Sequence, residues 1–419
     1  MKIVILGGGF GGVYTLKYLH KFFHKRTPYQ SKARYWAGIN EDIKFILVNK
    51  KNYFLFTPLL HEFATGSVSL ENLVEPIREI IRCCDYEFIH GEVKRIDLEK
   101  KIVELNESKL DYDYLVIALG SKINFYNIPG AEENSFTLKS LDEAIRLRNH
   151  FIHMFEIASK DQDEAILTFV IVGGGATGVE LAGEMSDYFY KTFSKFYPKE
   201  IISKVKIILI ERGNELIPQF SPKLRKIAFE VLRKKKVEVI LGKGVKEVDK
   251  DFVRLDDETI IKTKTVIWTA GVEPNLPEIV GNIEKDNKGR LIVNEYLQVK
   301  NYENVFALGD ACCFIQNQKP LPQLAQVAVR EAKIVAKNIF NLIQNKPLEK
   351  FVYKHQGDLI SLGKFFAIGE IKNFTFSGFL AWILWRGVYL SKMISNKDKI
   401  RTFIDWLLDF FYPRDITEI

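Results

Sequence analysis

Apolar positions in this chain gather into short unbroken runs, and two of those runs lead into the same kind of turn. Ile3-Val4-Ile5-Leu6 enters Gly7-Gly8-Gly9-Phe10-Gly11-Gly12, and Phe169-Val170-Ile171-Val172 enters Gly173-Gly174-Gly175-Ala176-Thr177-Gly178. Four aliphatic or β-branched residues stopped by glycine predict a buried parallel strand, and the residues that follow predict a helix, over 13–25 in the first case. Next come a polar stretch with Pro28 and Gly38 and an apolar strand over 43–49. Alternating strands are expected at Tyr86–His90, Val93–Asp97 and Ile102–Leu105, then a buried one over 114–118 that exits at Leu119-Gly120. The same order recurs with strands over 205–211, Val237–Leu241, Val245–Val248, Phe252–Leu255 and 265–271. The period is roughly 165 residues, an internal duplication rather than a short solenoid repeat. Between the copies, Ser140-Leu141-Asp142-Glu143 has the form of a capping box and opens a helix over 140–159. After the second copy, 305–311 reads as a strand ending in Gly309-Asp310.

Both turns fit G-x-G-x-x-G between strand and helix. The first glycine permits the tight turn, the second lets backbone N–H groups approach a pyrophosphate, and the third lets the helix pack on its strand. The helix N-terminus then presents its positive dipole end to the phosphates. Gly7, Gly9 and Gly12 therefore form one candidate dinucleotide site and Gly173, Gly175 and Gly178 another, with Gly120, Gly271 and Gly309 at neighbouring strand exits. A single glycine turn is weak evidence. Two of them in one chain point to electron transfer between two bound nucleotides. The expected fold is α/β, with one Rossmann-like dinucleotide-binding domain inserted in another.

Composition narrows the class. The 419 residues, 47% hydrophobic, can bury two or three domain cores. The first strand starts at Lys2, leaving no room for a signal peptide, and no uncharged run reaches the roughly 18 to 20 residues that span a bilayer. The four cysteines form the vicinal pairs Cys83-Cys84 and Cys312-Cys313, which fit reduced cytosolic thiols; no spacing suggests a metal. The net charge of +7 is spread along the chain, and Arg233-Lys234-Lys235-Lys236 reads as a solvated helix end, so nucleic acid is not an expected partner.

Several segments resemble one branch of the glutathione-reductase-like flavoproteins, the type II (non-proton-pumping) NADH:quinone oxidoreductases: 49–60, Ala64-Thr65-Gly66, 173–180, Leu324-Ala325-Gln326-Val327-Ala328 and 380–390. The resemblance implies an FAD-binding domain over 1–125 and 286–350, an inserted NADH-binding domain over 126–285, and a C-terminal membrane-docking region over 351–419. It implies that Asp310 bonds the flavin's ribityl and pyrophosphate region, although an aspartate at a strand exit also serves as a helix N-cap. Ala325 and Gln326 would lie beside the flavin ring where quinone enters, and Glu180 between the nicotinamide and quinone sites. By spacing alone, Glu180 also suits the first turn of a helix. The family usually has an acid where this chain has Asn49, a glutamine where it has Arg330, and a histidine where it has Phe54. Asn49 can still bond a ribose hydroxyl. Arg330 leaves open a changed quinone preference or a pair with Glu180. Glu211 ends the second strand of the inserted domain, which favours NADH over NADPH, while Arg212 beside it would soften the choice. The implied activity is hydride transfer from NADH to FAD, then two electrons to quinone in a respiratory chain. Sulfide:quinone oxidoreductases share the fold but need separated cysteines meeting at the flavin, which vicinal pairs supply poorly. An apoptosis-inducing-factor-like flavoprotein with a mainly binding role is the other alternative.

At the C-terminus, Ile400, Phe403, Ile404, Leu407, Leu408 and Phe411 form one helical stripe, with Arg401, Asp405 and Asp409 off it. Trp382, Trp385 and Trp406 also fall here, where aromatics favour a headgroup layer, and Arg386 interrupts the apolar run 376–390. Together these predict amphipathic helices docked peripherally on the cytoplasmic face of a membrane; the same stripe also fits a homodimer interface.

Overall fold

The computed structural model describes residues 1–23, 43–81, 86–372 and 374–419. The expected helix end at Lys25, the stretch with Pro28 and Gly38, and the Cys83-Cys84 pair lie outside the described residues. The chain forms two compact units. One comprises 1–54, 75–122 and 272–354; the other comprises 55–74, 123–271 and 355–419.

In the first unit, a five-stranded parallel sheet runs in the order Val305–Ala307, Tyr114–Ile117, Lys2–Leu6, Lys44–Asn49, Tyr86–His90. Ile5 pairs with Leu47 on one side and Val116 on the other, and Ile3 to Leu6 are wholly buried. A continuous apolar run is what a strand covered on both faces requires. Helices Phe10–Phe23 and Ala325–Ile343 pack against each other, with the Phe23 and Phe340 rings 5.0 Å apart. The first helix starts at Phe10 rather than Val13, because Val13 N–H already bonds the Gly9 carbonyl. Strand order reverses at Lys2–Leu6, so the Gly7 turn opens at the switch point where α/β sheets hold ligands.

The second unit repeats the plan with a parallel sheet ordered Val237–Leu241, Lys206–Glu211, Thr168–Val172, Thr265–Trp268. The capping box forms at Ser140 and Glu143 and opens the helix Leu141–Ala158. This unit also contains the helices Leu60–Ala64 and Ala176–Asp187 and an antiparallel sheet of Asp358–Ser361, Ala367–Ile371 and Phe374–Gly378. The apolar run 376–390 does not form one element. Gly378, at φ +95°, ends the last strand and releases the chain into the helix Phe379–Lys392, after which Asn396–Phe411 forms the last helix. Among the described residues, no helix is long and apolar enough to cross a membrane.

Candidate functional site

The two glycine turns have nearly the same geometry. Gly7 and Gly173 adopt φ of +105° and +111°, and a Cβ on Gly12 or Gly178 would overlap the carbonyl oxygen of Gly7 or Gly173. Gly9 and Gly175 face open space, with nothing within 4 Å of an added Cβ. Each turn thus has closed glycines where chain meets chain and one open glycine where a pyrophosphate can approach, which fits a dinucleotide in each unit. Gly120, at φ +71°, also faces open space, whereas at Gly271 the Tyr126 hydroxyl stands where a Cβ would be.

The residues ending each second strand brace these turns alike. Gly8 N–H donates to Asn49 Oδ1 at 2.9 Å while Asn49 Nδ2 donates to the Lys51 carbonyl at 2.8 Å. Gly174 N–H and Gly213 N–H each donate to one Glu211 oxygen at 2.6 Å. Asn49 therefore does for its turn what a carboxylate does in the other. Glu211 keeps lone pairs free for ribose hydroxyls.

Asp310 does not cap a helix: it lies inside the short turn Gly309–Ala311, whose cap position is Leu308. Its carboxylate accepts from the Ser121 hydroxyl, and its carbonyl accepts from Gln323 Nε2 at 3.1 Å. Gly309, at φ +66°, donates its N–H to Glu331 at 2.6 Å. Burial, with Asp310 nearby, pushes the Glu331 carboxyl up to about 7. Ala325 opens the long helix, placing Gln326 in its first turn. Arg330 folds back along that helix, donating to the Gln326 carbonyl at 2.8 Å and its side-chain oxygen at 3.4 Å, with its guanidinium 5.4 Å from the Tyr353 ring centre. The cation thus sits against the expected quinone contact.

Glu180 lies beyond the first turn of Ala176–Asp187 and is buried, so helix-dipole stabilisation at an exposed N-terminus does not describe it. Its Oε1 accepts from Ser361 N–H at 3.1 Å. Burial pushes its carboxyl up to about 8, and the charges of Glu62 and Glu184 add to the rise. Those neighbours belong to a buried polar cluster that no sequence motif announced. Arg414 pairs with Glu184 at 2.6 Å and Asp409 at 3.2 Å, Lys364 lies 3.4 Å from Asp409, and the Trp406 indole donates to Glu62 at 2.5 Å.

The C-terminal helices correct two expectations. Trp382, Trp385 and Trp406 are at most 2% exposed, so they pack inward rather than forming a headgroup belt. Arg386 is buried too, its guanidinium 3.8 Å from the Trp382 ring centre and 4.7 Å from that of Trp406, so the aromatic rings take up the charge that interrupts the run. Meanwhile all six stripe residues are exposed, from 46% at Ile404 to 75% at Phe411, joined by Phe379, Leu380, Ile383 and Leu384 on the preceding helix.

Known proteins are similar to this chain over nearly its whole length. The family model described as pyridine nucleotide-disulphide oxidoreductase matches residues 1–332, and the NDH2 C-terminal domain matches 355–415. A probable NADH dehydrogenase of Dictyostelium discoideum is 35% identical over 99% of this chain and 91% of its own. The type II NADH:quinone oxidoreductase Ndh of Mycobacterium tuberculosis is 31% identical over 99% and 89%. NDH2 from Plasmodium falciparum, solved in complex with NADH, superposes with a TM-score of 0.88 at 23% identity, covering 99% of each chain. The chain belongs to the type II NADH:quinone oxidoreductases, within the pyridine nucleotide-disulphide oxidoreductase family.

Proposed function

We propose that the first unit holds FAD, through Gly7, Gly9, Gly12, Asn49, Gly120, Gly309 and Asp310, and that the second holds NADH, through Gly173, Gly175, Gly178, Glu211 and Gly271. When bound, FAD would supply a two-electron carrier between NADH and a quinone, chemistry that needs no proton pumping by the protein. The residues bind, orient and manage protons around it. Ser121 and Glu331 hold the Gly309-Asp310 turn in register for the flavin's ribityl and pyrophosphate region. Glu211 accepts from the NADH ribose hydroxyls. Gln326 orients the quinone, with Arg330 raising the local positive potential, and Glu180 keeps a proton on its carboxyl at neutral pH for the acceptor side.

We further propose that 351–419 docks the enzyme peripherally on a membrane, on the cytoplasmic face. The observation supporting this is a last helix turned inside out: Thr402, Trp406 and Asp409 face the protein while the apolar stripe faces outward. Covering a half-exposed Leu, Ile or Phe contributes roughly 1 kcal/mol, so a stripe of this size is a large unmet driving force. Replacing Ile404 and Leu407 by Asp should abolish flotation with liposomes and reduction of a long-chain quinone in them, while turnover with a water-soluble quinone persists. If the variant still floats but changes from dimer to monomer by light scattering, the stripe belongs to a homodimer interface instead.

A further inference from the structure

In the second unit, strand order reverses at Thr168–Val172, so the crevice for a dinucleotide opens between the exits of that strand and of its neighbour Thr265–Trp268. Residues 269–271 wall the glycine turn at this point. A Cβ on Gly173 would lie 2.8 Å from Ala270 N, and one on Gly178 would lie 2.8 Å from Thr269 Oγ1. The next residue, Gly271, adopts φ +75°. On its open side stands Tyr126, with the hydroxyl where a Cβ would be and the ring carbons Cζ and Cε2 at 2.6 and 2.8 Å from the same position. A tyrosine therefore covers the ground that a glycine at a strand exit would otherwise leave to a ligand.

The local chain puts it there. Neighbours of Tyr126 face inward: the Phe125 and Trp268 rings lie 5.8 Å apart, Ile128 N–H donates to the Phe125 carbonyl at 3.0 Å, and the Trp268 indole donates to the Asn124 carbonyl at 3.0 Å. Tyr126 N–H donates to Asn124 Oδ1 at 2.7 Å, closing a tight turn in which Tyr126 and Asn127 are both left-handed, at φ +54° and +55°. Asparagine tolerates that region, but a bulky side chain in it is uncommon and costs backbone energy. The phenol returns little of that cost, since Tyr126 is 57% exposed and its hydroxyl makes no hydrogen bond among the described residues. A strained backbone that presents a loosely held ring at a ligand crevice points to function rather than to packing.

We propose that Tyr126 is a gate for the nicotinamide dinucleotide: its ring covers Gly271, and a nucleotide entering the crevice displaces it. This rests on the placement of NADH in the second unit above. Ring and nucleotide compete for one place, so the tyrosine lowers affinity in proportion to the time it stands closed and leaves dissociation alone. Its exposed side gives the ring room to swing while Phe125 and Ile128 keep the turn anchored. The gate thereby sets the NADH concentration at which the enzyme half-saturates and leaves the acceptor reaction untouched.

The test uses full-length holoenzyme carrying Tyr126→Ala, Tyr126→Phe or Gly175→Asp. Association and dissociation of NAD⁺ with the oxidised enzyme are followed by stopped-flow fluorescence, and flavin reduction is followed against NADH concentration. For a ring closed about nine-tenths of the time, Tyr126→Ala should raise the association rate constant and lower Kd by about tenfold each. Its dissociation rate constant and its limiting rate of flavin reduction should stay native. Tyr126→Phe keeps a ring over Gly271 and should keep the native constants, since the lost hydroxyl breaks no hydrogen bond. An unchanged or raised Kd in Tyr126→Ala overturns the proposal, as does a Tyr126→Phe enzyme that behaves like Tyr126→Ala. Gly175→Asp sets a carboxylate at the open glycine of the turn, where it repels a pyrophosphate and should weaken NAD⁺ binding by about tenfold or more. If it does so while Tyr126→Ala leaves Kd unmoved, only the gate fails. If Gly175→Asp also leaves Kd unmoved, the placement of the nucleotide in the second unit fails.

Discussion

Arg414 offers the most quantitative test of the buried cluster. Its guanidinium is enclosed, with Nη1 at 2.6 Å from Glu184 and Nε at 3.2 Å from Asp409, and further approaches to the Thr65 carbonyl and hydroxyl at 3.5 and 3.4 Å. Arg414→Met removes the cation and keeps much of the volume. Asp409 retains Lys364, whereas Glu184 loses the one cation that contacts it among the described residues. Stranding a buried charge costs about 3–5 kcal/mol. Glu184 can escape part of that cost by taking a proton, which at neutral pH costs about 3–4 kcal/mol for a carboxyl with an ordinary value near 4.3. The loss should therefore be about 3 kcal/mol at pH 7 and should shrink by about 1.4 kcal/mol per pH unit as the medium becomes more acidic. For a unit of this size that is a melting-temperature drop of roughly 6–12 °C at pH 7. Scanning fluorimetry of full-length holoenzyme between pH 5 and 8 measures it, and Arg414→Met with Glu184→Gln should recover most of the loss. A drop that does not change with pH, or that Glu184→Gln fails to relieve, would refute the reasoning.

Other positions give sharper functional readouts. Gln326→Ala should slow flavin reoxidation by quinone more than flavin reduction by NADH in stopped flow; equal losses would reassign Gln326 to packing of its helix. Unmodified enzyme should show a higher kcat/KM for NADH than for NADPH, and Glu211→Ser should narrow that ratio at least tenfold, because the carboxylate repels a 2′-phosphate. An unchanged ratio would remove Glu211 from nucleotide selection. Glu180 is raised in the folded protein from its ordinary range to about 8, so its contribution to stability is complete below about pH 4.5 and is lost as pH rises through 8. Glu180→Gln should flatten the fall in melting temperature between pH 5 and 8, and an equally steep fall would place the titration elsewhere.

Much of the scaffold was legible because it depends on local rules. Runs such as Ile3 to Leu6 and Phe169 to Val172 are buried on both faces and stopped by glycines that no other residue could replace, so strand, turn and helix follow from adjacent residues. The capping box at Ser140 is equally local. The cluster around Glu180 depends on partners far apart in sequence: Glu62 meets Trp406, and Glu184 meets Arg414. No periodicity links them. The stripe of the last helix was visible, but the inward turn of Trp406 and Asp409 was not, since Glu62, Lys364 and Arg414 create the polar side they face. Glu331 was within reach. It lies on the same helical face as Val327, Ala328, Ala332 and Val335, where a lone carboxylate in an apolar stripe signals a specific partner, here Gly309 N–H.

The account's central claim is that two electrons pass from NADH through one bound FAD to a quinone. Anaerobic stopped-flow titration of the purified enzyme tests it directly. One equivalent of NADH should bleach the flavin absorbance completely, and one equivalent of a water-soluble quinone should then restore it at a rate no slower than steady-state turnover. Flavin that NADH bleaches but quinone restores only far more slowly than turnover would contradict the account and point to a protein whose flavin serves another purpose.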